Sequence, residues 1–570
     1  MKTATKIFTI LLMSIGMAGC DDDFLEVPPQ DQLIDESYWK SEENVRTFAY
    51  GFYTNNFVGY GSGYAWGNYF SGQSLNDDFA PSNPPVFTQQ VPTSGGGWTF
   101  AWVRKANIFI NRVQEVPMEE EAINHWTGVG RFFRALEYFY LVKRFGDVPY
   151  YDRELSEDDT EALYKERDDR TFVMDRMLED FRFAAENVRE SVENNGQEVN
   201  RSVILAYMSR VFLFEGTWQK YHADNSSKAA EYLEAAKWAA EQVMNSGKFS
   251  LGNYREVFNS LSLSNNPEVI LYREYEAGIL THALNSYNNK EPQTGVSKDA
   301  VETYLMSDGL PIEVSPLYQG DRGIENVMAD RDPRIYETLV PYELRINGVA
   351  SNYSTTGYAT HKFLNESIAD DPMGSSNLNP TDAPVIRYGE VLMNYAEAAA
   401  ELASVGGPAF SQADLDKSVN VLRDRPGVAL PHLEIAGGQP AVNGVVYSDP
   451  RRDPDVPAMI WEIRRERRTE LMMEGFRLED LERWKKLEYT DMVQQTDINR
   501  GAWIKKSDYP ESNLESLVLT DGEEGYIIPA SAGESQREFT DPRVYLEPIP
   551  LDQITLYGDN GAELEQNPGW

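Results

Sequence analysis

From residue 119 to 145 the chain places Phe132, Leu136, Phe139 and Val142 at spacings of four, three and three, and then reaches "RFGDVP", where Gly146 and Pro149 stop a helix. This helical period constrains the fold more than any other feature, because it recurs along most of the length. Residues 171–190 and 201–218 repeat it. "SSKAAEYLEAAKWAAEQVMNSGKFSL" (226–251) is an alanine-rich amphipathic helix with a stop at Gly247 and Lys248 beside its negative end. Further helices are predicted over 386–403, 412–424 and 458–486. Small residues at the helix crossings imply a mainly α chain whose tetratricopeptide-like helix pairs bury their faces against neighbours, although no repeat of about 34 residues recurs cleanly. Segments 55–97, 262–295, 341–383 and 431–457 are rich in Gly, Pro and Asn yet keep apolar and aromatic residues, so they read as long ordered loops on one framework.

The 570 residues include one cysteine, Cys20, so an internal disulfide is impossible and stability has to come from an apolar core. Cys20 follows Lys2, Lys6, the mostly apolar run from Ile7 to Ile15 and the small residues Gly16, Ala18 and Gly19, which is the pattern of a secretory signal. That run is shorter than the roughly 20 residues a membrane-spanning helix needs. Met17-Ala18-Gly19-Cys20 resembles a bacterial lipobox, with methionine where an aliphatic residue is commoner. Cys20 is therefore expected to carry the lipid and to become the first mature residue. The plainer reading is a lone thiol near an ordinary cleavage site. The expected organisation is a lipoprotein signal peptide (1–19), a lipidated flexible tether (20–34) and a single domain (35–570).

Lys and Arg number 52 against 91 Asp and Glu, a net charge of −39. Loss of Lys2 and Lys6 with the signal leaves 50 cations against the same 91 acids, a mature excess of 41 negative charges. Such a chain repels polyphosphate, which excludes nucleic acid as a partner and argues against adhesion to anionic lipid through a basic patch. Catalysis has little support either. His125, His222, His282, His361 and His432 are scattered, with no pair at helical metal-site spacing, and neither a phosphate loop nor a "GxSxG" turn occurs. The chain is expected to be no enzyme and to need no cofactor; its acidic loops leave room for a structural calcium, but no EF-hand pattern supports one.

In "IRRERRTELMMEGFRLEDLERW" (463–484), Glu466 and Glu470 stand one helical turn apart. They could form an acid/base pair as in glycoside hydrolysis. The arginines among them favour the other reading, an ion-pair lattice with Arg467, Arg477, Asp480 and Arg483 that pins adjoining helices. "RDPR" (331–334) reads as a cap and turn.

A binding face has better candidates. "FVGYGSGYAWGNYFSGQSLNDDFAPSNPPVF" (57–87) interleaves Tyr60, Tyr64, Trp66 and Tyr69 with glycines and then supplies Asn76, Asp77 and Asp78. A sugar offers a face of C–H groups and an edge of hydroxyls, so flat rings beside amide and carboxylate acceptors suit it. The competing reading makes the rings the loop's own small core and "NDDFAP" an Asx turn. Trp98 and Trp102 are assigned to packing.

Six stretches together resemble the SusD/RagB family of outer-membrane nutrient-binding lipoproteins. They are "FLEVPPQDQLIDESYWKSEENV" (24–45), "RFFRALEYFYLVKRFGDVPYY" (131–151), "DGLPIEVSPLY" with "ADRDPRIYETL" (308–318, 329–339), "PVIRYGEVLMNYAEAAAEL" (384–402), the arginine-rich segment 463–484 and the closing "YLEPIPLDQI…LEQNPGW" (545–570). The resemblance implies a SusD-like α/α superhelix, four helix pairs backing a loop-rich ligand face. It also implies a lipoprotein anchored in the cell outer membrane and exposed at the surface. Such a protein captures a glycan, or less often a peptide, and delivers it to a SusC-like TonB-dependent transporter. A periplasmic or surface helical scaffold that binds only protein and a lipid-anchored glycoside hydrolase are the remaining alternatives. Asp21, Asp22 and Asp23 loosely fit the family's acidic export signal, and the family places ligand contacts in the 57–87 region and mid-chain, where Tyr275, Tyr287, Asn288, Tyr353 and Tyr358 stand.

Overall fold

The computed structural model describes residues 38–570 except 70, 71, 89, 195, 285–294, 347–353, 510–513, 515, 516 and 531–535. The expected signal peptide, Cys20, the tether, Tyr287, Asn288 and Tyr353 all lie outside the described residues.

The architecture is mainly α. The framework helices in chain order are α1 (Glu42–Tyr50), α2 (Ala101–Val113), α3 (Glu120–Phe145), α4 (Arg170–Asn187), α5 (Arg201–Tyr221), α6 (Ser226–Asn245), α7 (Tyr388–Ser404), α8 (Ala458–Glu470) and α9 (Arg477–Arg483), and a further helix, Leu551–Asp559, lies near the C-terminus. From α2 to α8 consecutive helices pack on one another. Helix α3 ends where the sequence indicates, at Gly146 (φ +74°), whose N–H donates to the Val142 carbonyl. Its burial is wider than one stripe: Phe133, Tyr138 and Leu141 are inside along with Phe132, Leu136 and Phe139, because α2 and α4 cover opposite sides. Helices α5 and α6 approach closely. A Cβ on Gly216 would sit 2.6 Å from Leu233 Cγ, and Ala229, Ala236, Ala239 and Ala240 of α6 are fully buried.

Buried ion pairs tie the stack together. Arg134 bonds Asp180 (2.7 Å) between α3 and α4, Arg170 bonds Glu215 (2.7 Å) between α4 and α5, and Arg210 bonds Glu390 (2.6 Å) between α5 and α7.

Two predicted helices differ from expectation. The 412–424 segment forms two short pieces, Gln412–Asp416 and Val419–Arg423. The 458–486 segment breaks into α8 and α9, where Met473 (φ +68°) and Gly475 (φ +86°) turn the chain. Gly475 is needed there: a Cβ would lie 2.3 Å from the Asn68 carbonyl of the aromatic loop. Periodicity alone carries straight through this break.

Sheet structure is sparse among the described residues. Strands that matter for the site are β1 (Gly61–Ser62), β2 (Ala65–Trp66), β3 (Phe79–Ala80) and the antiparallel pair β4 (Val269–Arg273) with β5 (Ala383–Arg387), in which Val269 faces Arg387. A core separate from that of the helices lies beneath the loops, built from Tyr60, Tyr69, Phe79, Phe258, Tyr304 and Phe363.

The arginine-rich segment forms a lattice sealed from solvent. Glu470 accepts from Arg387 (2.8 Å), Arg425 (2.6 Å) and Arg334 (3.1 Å), while Glu397 holds Arg483 (2.6 Å). Glu466 lies against Arg334 (2.7 Å) and Arg423 (3.0 Å). Burial alone would raise the Glu470 carboxyl, but Arg425, Arg387 and Arg334 outweigh it and hold it at about 2. Glu466 and Glu470 thus have no surface to offer a substrate, and "RDPR" joins the same network through Asp332 and Arg334 (2.7 Å).

Candidate functional site

The loop 57–87 divides its aromatic residues between two directions. Tyr60 is 1% exposed, in ring contact with Tyr69 (4.9 Å) and His282 (4.9 Å), and its hydroxyl donates to the Phe258 carbonyl (2.8 Å). Tyr69 is also buried and donates to the Pro384 carbonyl (2.6 Å). The Asn76 Oδ1 accepts from the Asp78 N–H (3.0 Å), an Asx turn. Asp77 takes both Nε and Nη2 of Arg477 (2.7 Å each), and Asp78 takes Arg468 (2.6 Å).

This corrects the expectation for Tyr60, Tyr69, Asn76 and Asp77 as ligand contacts. A long loop on a helical frame has to bury part of itself, and these groups satisfy their hydrogen bonds inside the chain. Tyr275, Tyr358 and Asp78 are buried in the same way. Little in the local sequence separates Tyr60 from Tyr64, since each follows a glycine, and the partners of Asp77 and Asp78 lie far along the chain.

Tyr64 and Trp66 face out, 62% and 57% exposed. They ride on the hairpin β1–β2, in which Gly61 pairs with Trp66 and Ser62 with Ala65. The glycines permit this. A Cβ on Gly61, whose φ is +90°, would lie 2.0 Å from the Ala65 carbonyl, and one on Gly67 would lie 2.0 Å from that of Gly59. Gly61→Ala is therefore expected to open the hairpin at a cost of about 1–3 kcal/mol and to create a protease-sensitive bond between residues 60 and 67. Limited proteolysis with mass spectrometry checks this, with Ala65→Gly as the variant that stays resistant.

The hairpin docks on two further segments. Gly63 donates to the Thr281 carbonyl (2.7 Å), Thr281 Oγ1 donates to the Asn377 carbonyl (2.6 Å), and the Tyr64 hydroxyl is 2.6 Å from Ser376 Oγ. Residues 61–66, 279–282 and 373–379 form one face on which Ile279, Met373 and Leu378 are also exposed. An apolar, ring-bearing face rimmed by hydroxyl and amide groups is what carbohydrate stacking requires.

Behind the loop lies a cavity of about 540 Å³, lined by Asn68, Tyr69, Tyr140, Arg210 and Glu137 among others. Glu137 accepts from Asn55 (2.8 Å) and Asn56 (2.9 Å), and burial raises its carboxyl. Among the described residues no cluster of three or more His, Cys, Asp or Glu could hold a metal ion. Burial lowers His282 to about 3 and His125 and His222 to about 4, so these rings are neutral packing groups at ordinary pH.

A family model described as the SusD family matches residues 267–570, more than half of the chain. The chain belongs to the SusD family. A second model, described as starch-binding associating with outer membrane, matches residues 23–213. A SusD-like protein P38 of Formosa agariphila is 23% identical over 84% of this SusD-family chain and 91% of its own length. A SusD-like protein of Bacteroides ovatus is 24% identical over 48% of this chain, and the match spans 50% of that protein.

Among solved structures, a SusD-like carbohydrate binding protein from Bacteroides fragilis superposes with a TM-score of 0.67 at 21% identity, covering 91% of this chain and 99% of that one. A laminarin binding SusD-like protein gives 0.53 at 17% identity, covering 93% and 100%. The helical fold read from periodicity is thus that of the SusD family. Among the described residues no helix is long and apolar enough to cross a membrane.

Proposed function

We propose that this SusD-family chain captures a glycan without cutting it, on the face that carries Tyr64 and Trp66, and delivers it to a SusC-like TonB-dependent transporter while lipid-anchored through Cys20 at the surface of the outer membrane. The observation that carries the reading is the pair of rings held outward on a hairpin that only glycines allow. Rings lose little rotamer freedom on binding and give large contact area, and the relatives named for carbohydrate or laminarin binding supply the ligand class. Tyr287, Asn288 and Tyr353, outside the described residues, are proposed as further ligand groups. Capture without hydrolysis agrees with a lattice in which the helical carboxylates Glu466 and Glu470 are sealed by arginine.

Single-site sugar binding is weak because hydroxyls give up water, so tethering beside the transporter supplies the effective concentration that transfer needs. The test is affinity electrophoresis of the full-length chain against a polysaccharide panel. Trp66→Ala is expected to weaken retention about tenfold, the loss of one stacked ring in a small site. Tyr69→Phe, altered only inside, is expected to retain it. Unchanged retention by Trp66→Ala and Tyr64→Ala together would refute the platform, and release of reducing ends by the wild-type protein would refute capture without cleavage. Palmitate that still labels Cys20→Ala would refute the anchor.

A further inference from the structure

A second cavity, about 500 Å³, opens between α8, α9 and the segment 449–455, and its wall is unlike the rest of this acidic chain. Cations line it closely, and three of them keep hydrogen-bond donors that the protein leaves unused. Arg464 is 5% exposed: Nη2 donates to Glu401 (3.1 Å), the guanidinium lies 4.2 Å over the Trp484 ring, and Nε is buried without a partner. Arg477 has Nε and Nη2 on Asp77 and Nη1 left over. Arg452 bonds only the carbonyls of Asp453 and Val456, through Nη1, and among the described residues no carboxylate lies within ion-pair distance of it.

Of the six carboxylates of the same wall, four are tightly engaged, Glu488 pairs with Lys486 (3.2 Å), and Asp455 is exposed. Both oxygens of Asp77 face Arg477; Asp299 is shared between Arg451 and Arg468; Asp449 holds Arg465 and the Trp461 N–H; Asp453 holds Lys486 and the Tyr489 hydroxyl. Donors remain on three arginines, and among the described residues Asp455 is the one wall carboxylate without an ion pair. Spare guanidinium donors on Arg452 and Arg477, both half-buried at the cavity, favour an occupant that brings acceptors and negative charge. Trp461 and Tyr489, both half-buried at the wall, give such an occupant a ring surface.

We infer that this cavity binds an acidic sugar, its oxyanion on Arg452, Arg464 and Arg477 and its ring against Trp461 and Tyr489. The site is separate from the hairpin platform and does not rest on it. The shared chemistry is an oxyanion on a sugar-sized molecule, carried as a uronate carboxylate or as a sulfate ester.

The test titrates the full-length chain in detergent with galacturonate, galactose and inorganic sulfate, read by tryptophan emission, to which Trp461 reports. Galacturonate is expected to change the emission with a millimolar Kd and galactose to leave it unchanged. Arg452→Gln, which breaks no ion pair, is expected to weaken galacturonate about tenfold, the loss of one charge-assisted hydrogen bond, with an unchanged urea midpoint. Sulfate that binds while galacturonate does not would support the anion site and assign it to sulfate groups. Galactose binding as well as galacturonate, silence of both anions, or full affinity in both Arg452→Gln and Arg477→Gln would overturn the inference. Emission reads the cavity and polysaccharide retention reads the hairpin, so failure of either is distinguishable from failure of the other.

Discussion

Glu470→Ala is expected to destabilise the fold by about 3–5 kcal/mol, which is what removing one member of a buried ion pair costs when its partners stay behind. Three guanidinium groups converge on this one carboxylate, at 2.6, 2.8 and 3.1 Å, and all four side chains are 0–2% exposed. Arg387 retains Glu268 and Glu474, Arg425 retains Glu268, and Arg334 retains Asp332 and Glu466, so the lattice survives with a surplus of positive charge where water does not reach. Glu470→Gln should do little better, since the shape is restored but the charge is not.

The lattice connects the strand pair β4–β5 and helix α8 to the segment around Asp332, and through Glu397 to α9, so the loss is global rather than confined to a surface turn. The check is urea unfolding followed by tryptophan fluorescence: a lower midpoint at constant slope is expected. Arg176→Ala supplies the contrast. Its pair with Glu179 is about half exposed, and the expected change is within about 0.5 kcal/mol. A Glu470→Ala midpoint as high as that of Arg176→Ala would mean that the network is not what holds these helices.

The same segment shows why some of the structure was legible in sequence and some was not. A crowd of arginines and glutamates at helical spacing already implies ion pairs, but Arg387, Arg425 and Arg334 come from three distant segments, and no local pattern names them. The end of α3 was legible because Gly146 and Pro149 are local causes. The break between α8 and α9 was not, because Gly475 is required by the Asn68 carbonyl, a contact that exists only in the folded chain. Within the aromatic loop, Gly61 and Gly67 serve the hairpin's own close backbone contacts, which glycine spacing alone does not distinguish from approach to a ligand. Which rings turn outward depends on the register of Gly61 against Trp66 and on the carbonyls of Phe258 and Pro384 that receive Tyr60 and Tyr69. That information is tertiary, and residue type alone does not carry it.

Acid is expected to unfold the protein between about pH 4.5 and 3, and the sign follows from which state takes up protons. Burial pushes Glu470, Glu397 and Asp299 up, but facing arginines outweigh it and hold all three at about 2, below ordinary values of 4.5, 4.5 and 3.8. Their stabilisation is complete above the unfolded values and is lost as pH falls toward the folded ones. Three histidines act in the same direction at higher pH. His125, His222 and His282, lowered by burial to about 4, 4 and 3 from 6.5, must accept protons when the chain unfolds.

Raised carboxyls oppose this, Glu137, Asp180, Glu302 and Glu462 among them, and two do so with large shifts. Burial raises Asp382 to about 6 and Glu482 to about 8, so each favours the folded state more as pH falls through that range. Three histidines against the two strongly raised carboxyls leave a shallow loss of stability between about pH 6.5 and 4.5, and the loss steepens below about 4.5, where Glu482 has given all it can. The accumulated change reaches the size of a whole folding free energy, about 5–15 kcal/mol, by roughly pH 3. Urea midpoints measured from pH 7.5 down to acid, with far-ultraviolet circular dichroism for the final collapse, read this directly. A midpoint that holds level to about pH 4, or rises there, would mean that Asp382 and Glu482 dominate and that the buried histidines and arginine-held carboxylates do not set the acid limit of the fold.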